Sequence, residues 1–140
     1  MAKIGRVLAV DYGDRRTGLA VCDALGISMR PLDLIRADSP RAAAAAIAAA
    51  ARDEEADLVL LGLPINMDGT EGPRALLTRE FGALLAPLVA PLPVEFYDER
   101  LTTKEAEAVR RDAWSKGARL DASKDSLAAC VLLRGWLESR

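Results

Sequence analysis

The apolar positions of the chain fall into short runs closed by turn residues and acids. Val7 to Val10 is continuously apolar and ends on Asp11; after the tight turn Tyr12-Gly13-Asp14 and the basic pair Arg15-Arg16, the chain returns through Thr17-Gly18-Leu19-Ala20-Val21. Residues 4–11 and 16–23 therefore predict two buried strands in a hairpin, with a carboxylate where the first strand emerges. Met29 to Ile35 predicts a shorter third strand, which Pro31 pushes towards a sheet edge. Ser39 and Pro40 supply an N-cap and a first helical residue for an alanine-rich helix running to about Arg52. Asp57 to Leu61 contains LVLL with no polar alternation, the pattern of a central strand covered on both faces. The stretch Gly62–Pro73 is long for a connection into a helix, and its glycines let backbone approach a ligand. A helix from Arg74 to about Leu85 is expected to stop at Pro87, Pro91 and Pro93. Val94 to Asp98 predicts a strand ending in the acids Asp98 and Glu99; Thr102 or Thr103 caps a helix to about Trp114, and Ser123 caps a last helix to the C-terminus.

The order βββαβαβα predicts an α/β domain over residues 1–140, with a mixed five-stranded sheet and helices on its faces. Composition narrows the chemistry. The hydrophobic share of 51 % supplies a core, yet no run approaches the ~20 apolar residues of a membrane span, and no signal peptide opens the chain. Cys22 and Cys130 sit in apolar segments and read as buried free thiols, so a cytoplasmic protein is expected. With no histidine, Cys/His zinc sites and Ser-His-Asp triads are excluded. Catalysis must use carboxylates, Lys, Tyr, Cys or a metal. The formal charge of −2 argues against a uniformly basic surface but allows a local basic patch.

The last helix carries an apolar stripe of Ala128, Ala129, Leu132, Leu133 and Trp136, and counting back at helical spacing puts Asp125 on the same face. A carboxylate on a buried face needs a partner or a metal. The plainer reading is an acid in a first helical turn, favoured by the dipole and by Lys124; Asp11 likewise reads, by itself, as a turn cap. Taken together, Asp11, Glu99 and Asp125 make three carboxylates at strand ends and a helix start, a donor set suited to Mg²⁺ or Mn²⁺. Two such ions about 3.5–4 Å apart activate water and stabilise the leaving oxygen in phosphodiester cleavage. Strand parity leaves Asp98 and Glu99 both open, whereas Asp14, Asp23 and Asp68 read as solvated turn acids. Arg15 and Arg16 follow Asp11; Arg100, Thr102, Thr103 and Lys104 follow Glu99; Lys124 precedes Asp125. These polar and basic groups predict a phosphate-contacting footprint around the acids.

The segments AVDYGDRRTGLAVCD at 9–23, GLPINMDGTEG at 62–72, FYDERLTT at 96–103 and KDSLAACVLL at 124–133 resemble the YqgF or RuvX-like family, described as candidate Holliday junction resolvases and as ribosomal RNA precursor nucleases. The match runs through nearly the whole chain in the family's order. It implies a ribonuclease H-like fold and a metal-dependent nuclease acting on branched DNA or precursor ribosomal RNA, with Asp11, Glu99 and Asp125 as metal ligands. It also selects Glu99 over Asp98. Two other readings stand beside it: a nucleic-acid-binding or ribosome-associated factor without turnover, and an ATP-dependent phosphotransferase of the actin-like superfamily, whose hairpin is similar. Resolution of a junction calls for a homodimer, for which the helix at 40–52 and the apolar segment Phe81–Leu92 are the candidate surfaces.

Overall fold

The computed structural model describes residues 5–101 and 124–140, with Leu101, Lys124 and Asp125 described by backbone alone. The hairpin forms from β1 (Val7–Asp11) and β2 (Arg16–Cys22), followed by β3 (Met29–Pro31) and β4 (Ile35–Arg36). Then come α1 (Pro40–Asp53), β5 (Leu58–Leu63), α2 (Pro73–Val89), β6 (Val94–Asp98), a 3-10 turn (Glu99–Leu101) and α3 (Lys124–Glu138). The strand order is β3-β2-β1-β5-β6, with β4 also paired to β2, so the sheet has six strands where five were expected. β1 and β2 are antiparallel, with Asp11 opposite Gly18, and β1, β5 and β6 run parallel.

Alternation along the strands divides the core into two layers. Leu8 and Val10 of β1, Leu19 and Val21 of β2, and Val59 and Leu61 of β5 face α1 and α2, whose Ala43, Ala44, Ile47, Phe81 and Leu85 close that side. Val7, Ala9, Ala20, Cys22 and Leu60 face the other side, covered by Ala129, Cys130, Leu132, Leu133 and Trp136 of α3. Both cysteine thiols are free and buried, and burial pushes the Cys130 thiol up to about 11. α1 starts as its sequence predicts: the Ser39 hydroxyl accepts from Ala42 N at 3.1 Å, and Pro40 takes the first turn. Ala43, Ala44, Ile47, Ala48 and Ala51 of α1 and Phe81, Leu85 and Val89 of α2 are buried within the chain, while Ala42, Ala45, Ala83, Ala86 and Leu88 of the candidate dimer surfaces remain exposed.

Three boundaries differ from expectation. The third strand breaks after Pro31, because the ring removes a ladder donor, and pairing with β2 resumes at Ile35. α2 continues through Pro87 to Val89 because the buried Leu85 and Val89 hold its final turn on the core. Glu99 lies one residue past β6, as the first residue of the 3-10 turn. The helix expected between Thr102 or Thr103 and Trp114, the following loop and the Ser123 cap lie outside the described residues.

Asp23 is more than a solvated turn acid. Its carboxylate accepts from the backbone N–H groups of Leu25, Ile27 and Ser28, each at 3.0 Å, and from the Ser28 hydroxyl at 2.8 Å, so it braces the link from β2 to β3. These bonds, above all those from Ile27 and Ser28, hold its pKa down to about 2. A depressed carboxylate stabilises the fold fully above the unfolded value of 3.8 and loses that contribution as pH falls towards 2. We expect Asp23→Ala to lower the melting temperature at pH 7 by a few degrees, on the order set by a small domain's unfolding entropy. The gap to wild type should close between pH 4 and pH 2; equal melting curves at pH 7 would remove the brace.

Candidate active site

The C-terminal ends of β1, β5 and β6 lie together at one edge of the sheet. β5 lies between β1 and β6, so their strand ends are about 10 Å apart at ordinary sheet spacing. Even so, the side chains of Asp11 and Glu99 are hydrogen-bonded to each other. The reason is Gly62, the β5 residue opposite Tyr97. A Cβ there would stand 2.5 Å from Glu99 Oε1, 3.2 Å from Glu99 Cγ and 3.0 Å from Leu132 Cδ2. Glu99 therefore lies across the vacant position on β5 and is covered by Leu132 of α3. A hydrogen bond between two carboxyl groups needs a proton on one of them unless a cation takes its place. Burial raises the Glu99 pKa, and the charge of Asp98 adds to this; the Asp11 bond and the charge of Arg74 oppose it.

Asp98 points its charge elsewhere. The Arg100 guanidinium holds its carboxylate at 2.8 Å from Nη2 and 3.1 Å from Nε, which keeps the Asp98 pKa low. Arg100, expected as a phosphate contact, is thus engaged with Asp98, and its Nη1 donates to the Met67 carbonyl at 3.4 Å. Met67 tops the connection from β5 to α2 and is 91 % exposed. That loop is folded on itself: Asn66 N donates to Thr70 O at 2.9 Å, and Thr70 Oγ1 donates to Asp68 at 2.6 Å. Asn66 Nδ2 donates to Thr70 Oγ1 at 3.1 Å, and Gly69 takes the positive φ of +90° that the turn needs.

Arg74 escaped the sequence reading. It sits in the first turn of α2, donates to Asp14 Oδ1 at 2.9 Å and to the Tyr12 carbonyl at 3.5 Å, and places its charge near Glu99. Its one local signal is its position after Pro73 at a helix start, which puts it beside the carboxylates only once α2 packs. Tyr12 stacks on Phe81 with centroids 3.8 Å apart and planes within 10°. The turn after Asp11 is thereby held at two points along one face of α2, by Arg74 and by Phe81 two turns later.

Arg15 and Arg16 are exposed at the hairpin turn and line a cleft with Arg36, Ala37 and Asp38. Thr102 and Thr103 lie outside the described residues. Lys124 and Asp125 occupy the first turn of α3. Trp136 Nε1 donates to Glu95 near the start of β6 at 3.3 Å, while Leu132 meets Gly62 and Glu99 near the strand ends. α3 therefore runs antiparallel to β6 while packing mainly on β2 and β1, and its N-terminus points towards the edge that holds Asp11 and Glu99. Among the described residues no group of three or more acids or thiols that could hold a metal is assembled, and the described carboxylates that meet each other at this edge are Asp11 and Glu99.

Residues 5–139 match the RuvX family, described as Holliday junction resolvase. A candidate pre-16S rRNA nuclease of Anaeromyxobacter sp. (strain Fw109-5) is 42 % identical over 96 % of this chain and 98 % of its own length. One of Myxococcus xanthus (strain DK1622) is 40 % identical over 96 % and 88 %. Among solved structures, the RuvC of T. thermophilus in complex with Holliday junction substrate superposes with a TM-score of 0.62 at 14 % identity, covering 96 % of this chain and 95 % of that one. The Fowlpox virus resolvase with Holliday junction DNA gives 0.59 at 13 % identity, covering 96 % and 97 %. At such identities these likenesses show the fold, and it is the ribonuclease H-like fold of RuvC-type proteins.

The packing at Gly62 is testable by a double-mutant cycle. Gly62→Ala should cost about 1–3 kcal/mol in urea denaturation, as overpacking does. Glu99→Ala in the same chain should return most of that loss, since Glu99 Oε1 is the nearest obstruction. A double mutant no more stable than Gly62→Ala would show that the two residues do not share the space.

Proposed function

The chain belongs to the RuvX Holliday junction resolvase family, and from that premise we propose that it is a divalent-metal-dependent nuclease hydrolysing phosphodiester bonds of structured nucleic acid. The observation that carries the metal reading is the meeting of Asp11 and Glu99 across Gly62. Two half-buried carboxylates in contact call for a shared proton or a cation, and an all-oxygen donor set without histidine suits Mg²⁺ or Mn²⁺. Asp11, Glu99 and Asp125 are the proposed ligands, and two ions bound there would supply an activated water and a stabilised leaving oxygen. The protein's own part is placement. Register fixes Asp11 opposite Gly18, Gly62 admits Glu99, and Leu132 and Tyr97 form an apolar floor that limits water. Arg74 offers a positive charge beside the pair for a substrate phosphate, and Arg15, Arg16, Arg100, Thr102, Thr103 and Lys124 are the proposed nucleic-acid contacts.

Precursor ribosomal RNA is the proposed substrate, because relatives about 40 % identical over nearly their full length carry that description, while the junction-bound proteins share the fold alone. The same full-length likeness favours neither a binding factor without turnover nor a phosphotransferase. No helix among the described residues is long and apolar enough to cross a membrane, and we place the protein in the cytoplasm with its nucleic acid.

Asp11→Asn, Glu99→Gln and Asp125→Asn should each reduce cleavage by about 10²-fold or more while leaving the protein folded. The assay is hydrolysis of labelled precursor RNA and of a four-way DNA junction with Mg²⁺ or Mn²⁺; near-wild-type turnover would remove that residue from the site. A dimer that tightens on the junction and makes paired symmetric nicks, read by analytical ultracentrifugation and gels, would move the substrate to branched DNA. Acid should also weaken the site. Because burial raises the Glu99 pKa, cation binding should fall with decreasing pH at values above its ordinary 4.5. Titration calorimetry with Mn²⁺ checks this, and a Glu99→Gln variant with the same pH dependence would reassign the titrating group.

A further inference from the structure

The arginines divide by what they face. Arg6, Arg30, Arg74, Arg79, Arg100 and Arg134 each have a carboxylate oxygen within 4.0 Å. Arg15, Arg16 and Arg36 form no ion pair among the described residues. Instead they are gathered. Arg16 of β2 and Arg36 of β4 are direct cross-strand partners, and Ala37 N donates to Arg15 O at 3.1 Å, which ties the hairpin turn to the end of β4. Like charges directly opposite in an antiparallel pair are destabilising. This sequence nonetheless places them there and adds a third guanidinium beside them.

The three line a cleft of about 340 Å³ with Ala37 and a single acid, Asp38. The next residue, Ser39, caps α1, which has no acid in its first turn, so the positive end of a 14-residue helix adjoins the cleft wall. The cleft shares its sheet edge with the carboxylates: Asp11 pairs with Gly18, and Arg16 is two residues further along the same strand. An anion of extended form would relieve the repulsion and fit the exposure of the three side chains.

We propose that Arg36, together with Arg15 and Arg16, forms a phosphate-binding cleft that grips the nucleic-acid backbone beside the bond being cut. The proposal rests on the nucleic-acid reading above and extends it to β4, whose Ile35 packs on the core while the exposed Arg36 faces the cleft. The planar guanidiniums of Arg16 and Arg36, on adjacent strands, can each take phosphate oxygens in a forked fashion, so charge alone does not replace them. The cleft binds without reading bases, and it therefore sets register and affinity rather than sequence preference.

The test measures binding of a labelled structured RNA by anisotropy, in EDTA to prevent cleavage, across a salt series. Arg36→Ala and Arg36→Gln should lower the slope of log affinity against log salt by about one unit and weaken binding about three- to tenfold near 0.1 M salt. Arg36→Lys should keep the slope yet recover only part of the affinity. Arg52→Ala, at the far end of α1, should bind as wild type. Melting temperatures of Arg36→Ala and Arg36→Gln at low salt should be no lower than wild type, because the like-charge pair with Arg16 is gone; this separates lost contact from lost fold. A wild-type slope in both neutral variants overturns the cleft, and if cleavage persists the nuclease reading stands. A slope lost in Arg36→Gln, in a protein that never cleaves with Mg²⁺ or Mn²⁺, keeps the cleft and overturns the nuclease. A wild-type protein that binds no RNA or DNA overturns both.

Discussion

Two carboxylates held in contact on strands that are not neighbours are the constraint around which this molecule is built. β5 stands between β1 and β6, so Asp11 and Glu99 can meet only if the intervening strand offers no side chain at that level. Gly62 meets this condition, and the cost is a glycine at the end of a buried strand, where it weakens the ladder and packs nothing itself. Leu132 fills the space from α3, which makes the position of one helix part of the same arrangement. A Cβ at residue 62 would therefore press on the carboxylate and on the helix that covers it.

The surroundings of the pair are stiffened by groups that take no part in it. Arg100 clamps Asp98, so that the acid adjacent to Glu99 is neutralised outward instead of adding its full charge inward. The same guanidinium reaches the Met67 carbonyl and ties the self-bonded loop after β5 to the end of β6. On the other side, Arg74 and the Tyr12–Phe81 stack fasten the turn after Asp11 to α2. The first fastening joins the ends of β5 and β6, and the second joins the end of β1 to α2. Preorganisation of this kind matters because a site with two like charges has no attraction of its own to hold its shape.

The local code carried most of the fold. Continuous apolar runs at Val7–Val10 and Leu58–Leu61, the Ser39-Pro40 start and the apolar stripe from Ala129 to Trp136 all became the expected elements. What it left open depended on distant partners. Pro87 was read as a stop, yet burial of Leu85 and Val89 against the sheet outweighs one missing helix bond. Parity could not separate Asp98 from Glu99, because the strand ends at Asp98 and the 3-10 turn re-aims the next residue. What Gly62, Arg74 and Arg36 do is set by Glu99, Asp14 and Arg16, residues far away in sequence.

Charge is distributed in the same spirit. With a net charge of −2, the chain has no general attraction for a polyanion, so affinity must come from where its cations are left unpaired. Among the described residues six arginines face carboxylates and act as internal fasteners, whereas Arg15, Arg16 and Arg36 do not and are the ones gathered in one cleft. Both the repelling acids and the repelling arginines lie at one sheet edge, formed where β1 ends and β2 begins. The phosphodiester and metal ions proposed above would answer both imbalances together: cations for the acids, anionic oxygens for the guanidiniums. Binding at this edge would then be favoured by relief of two separate imbalances of charge rather than by one strong contact.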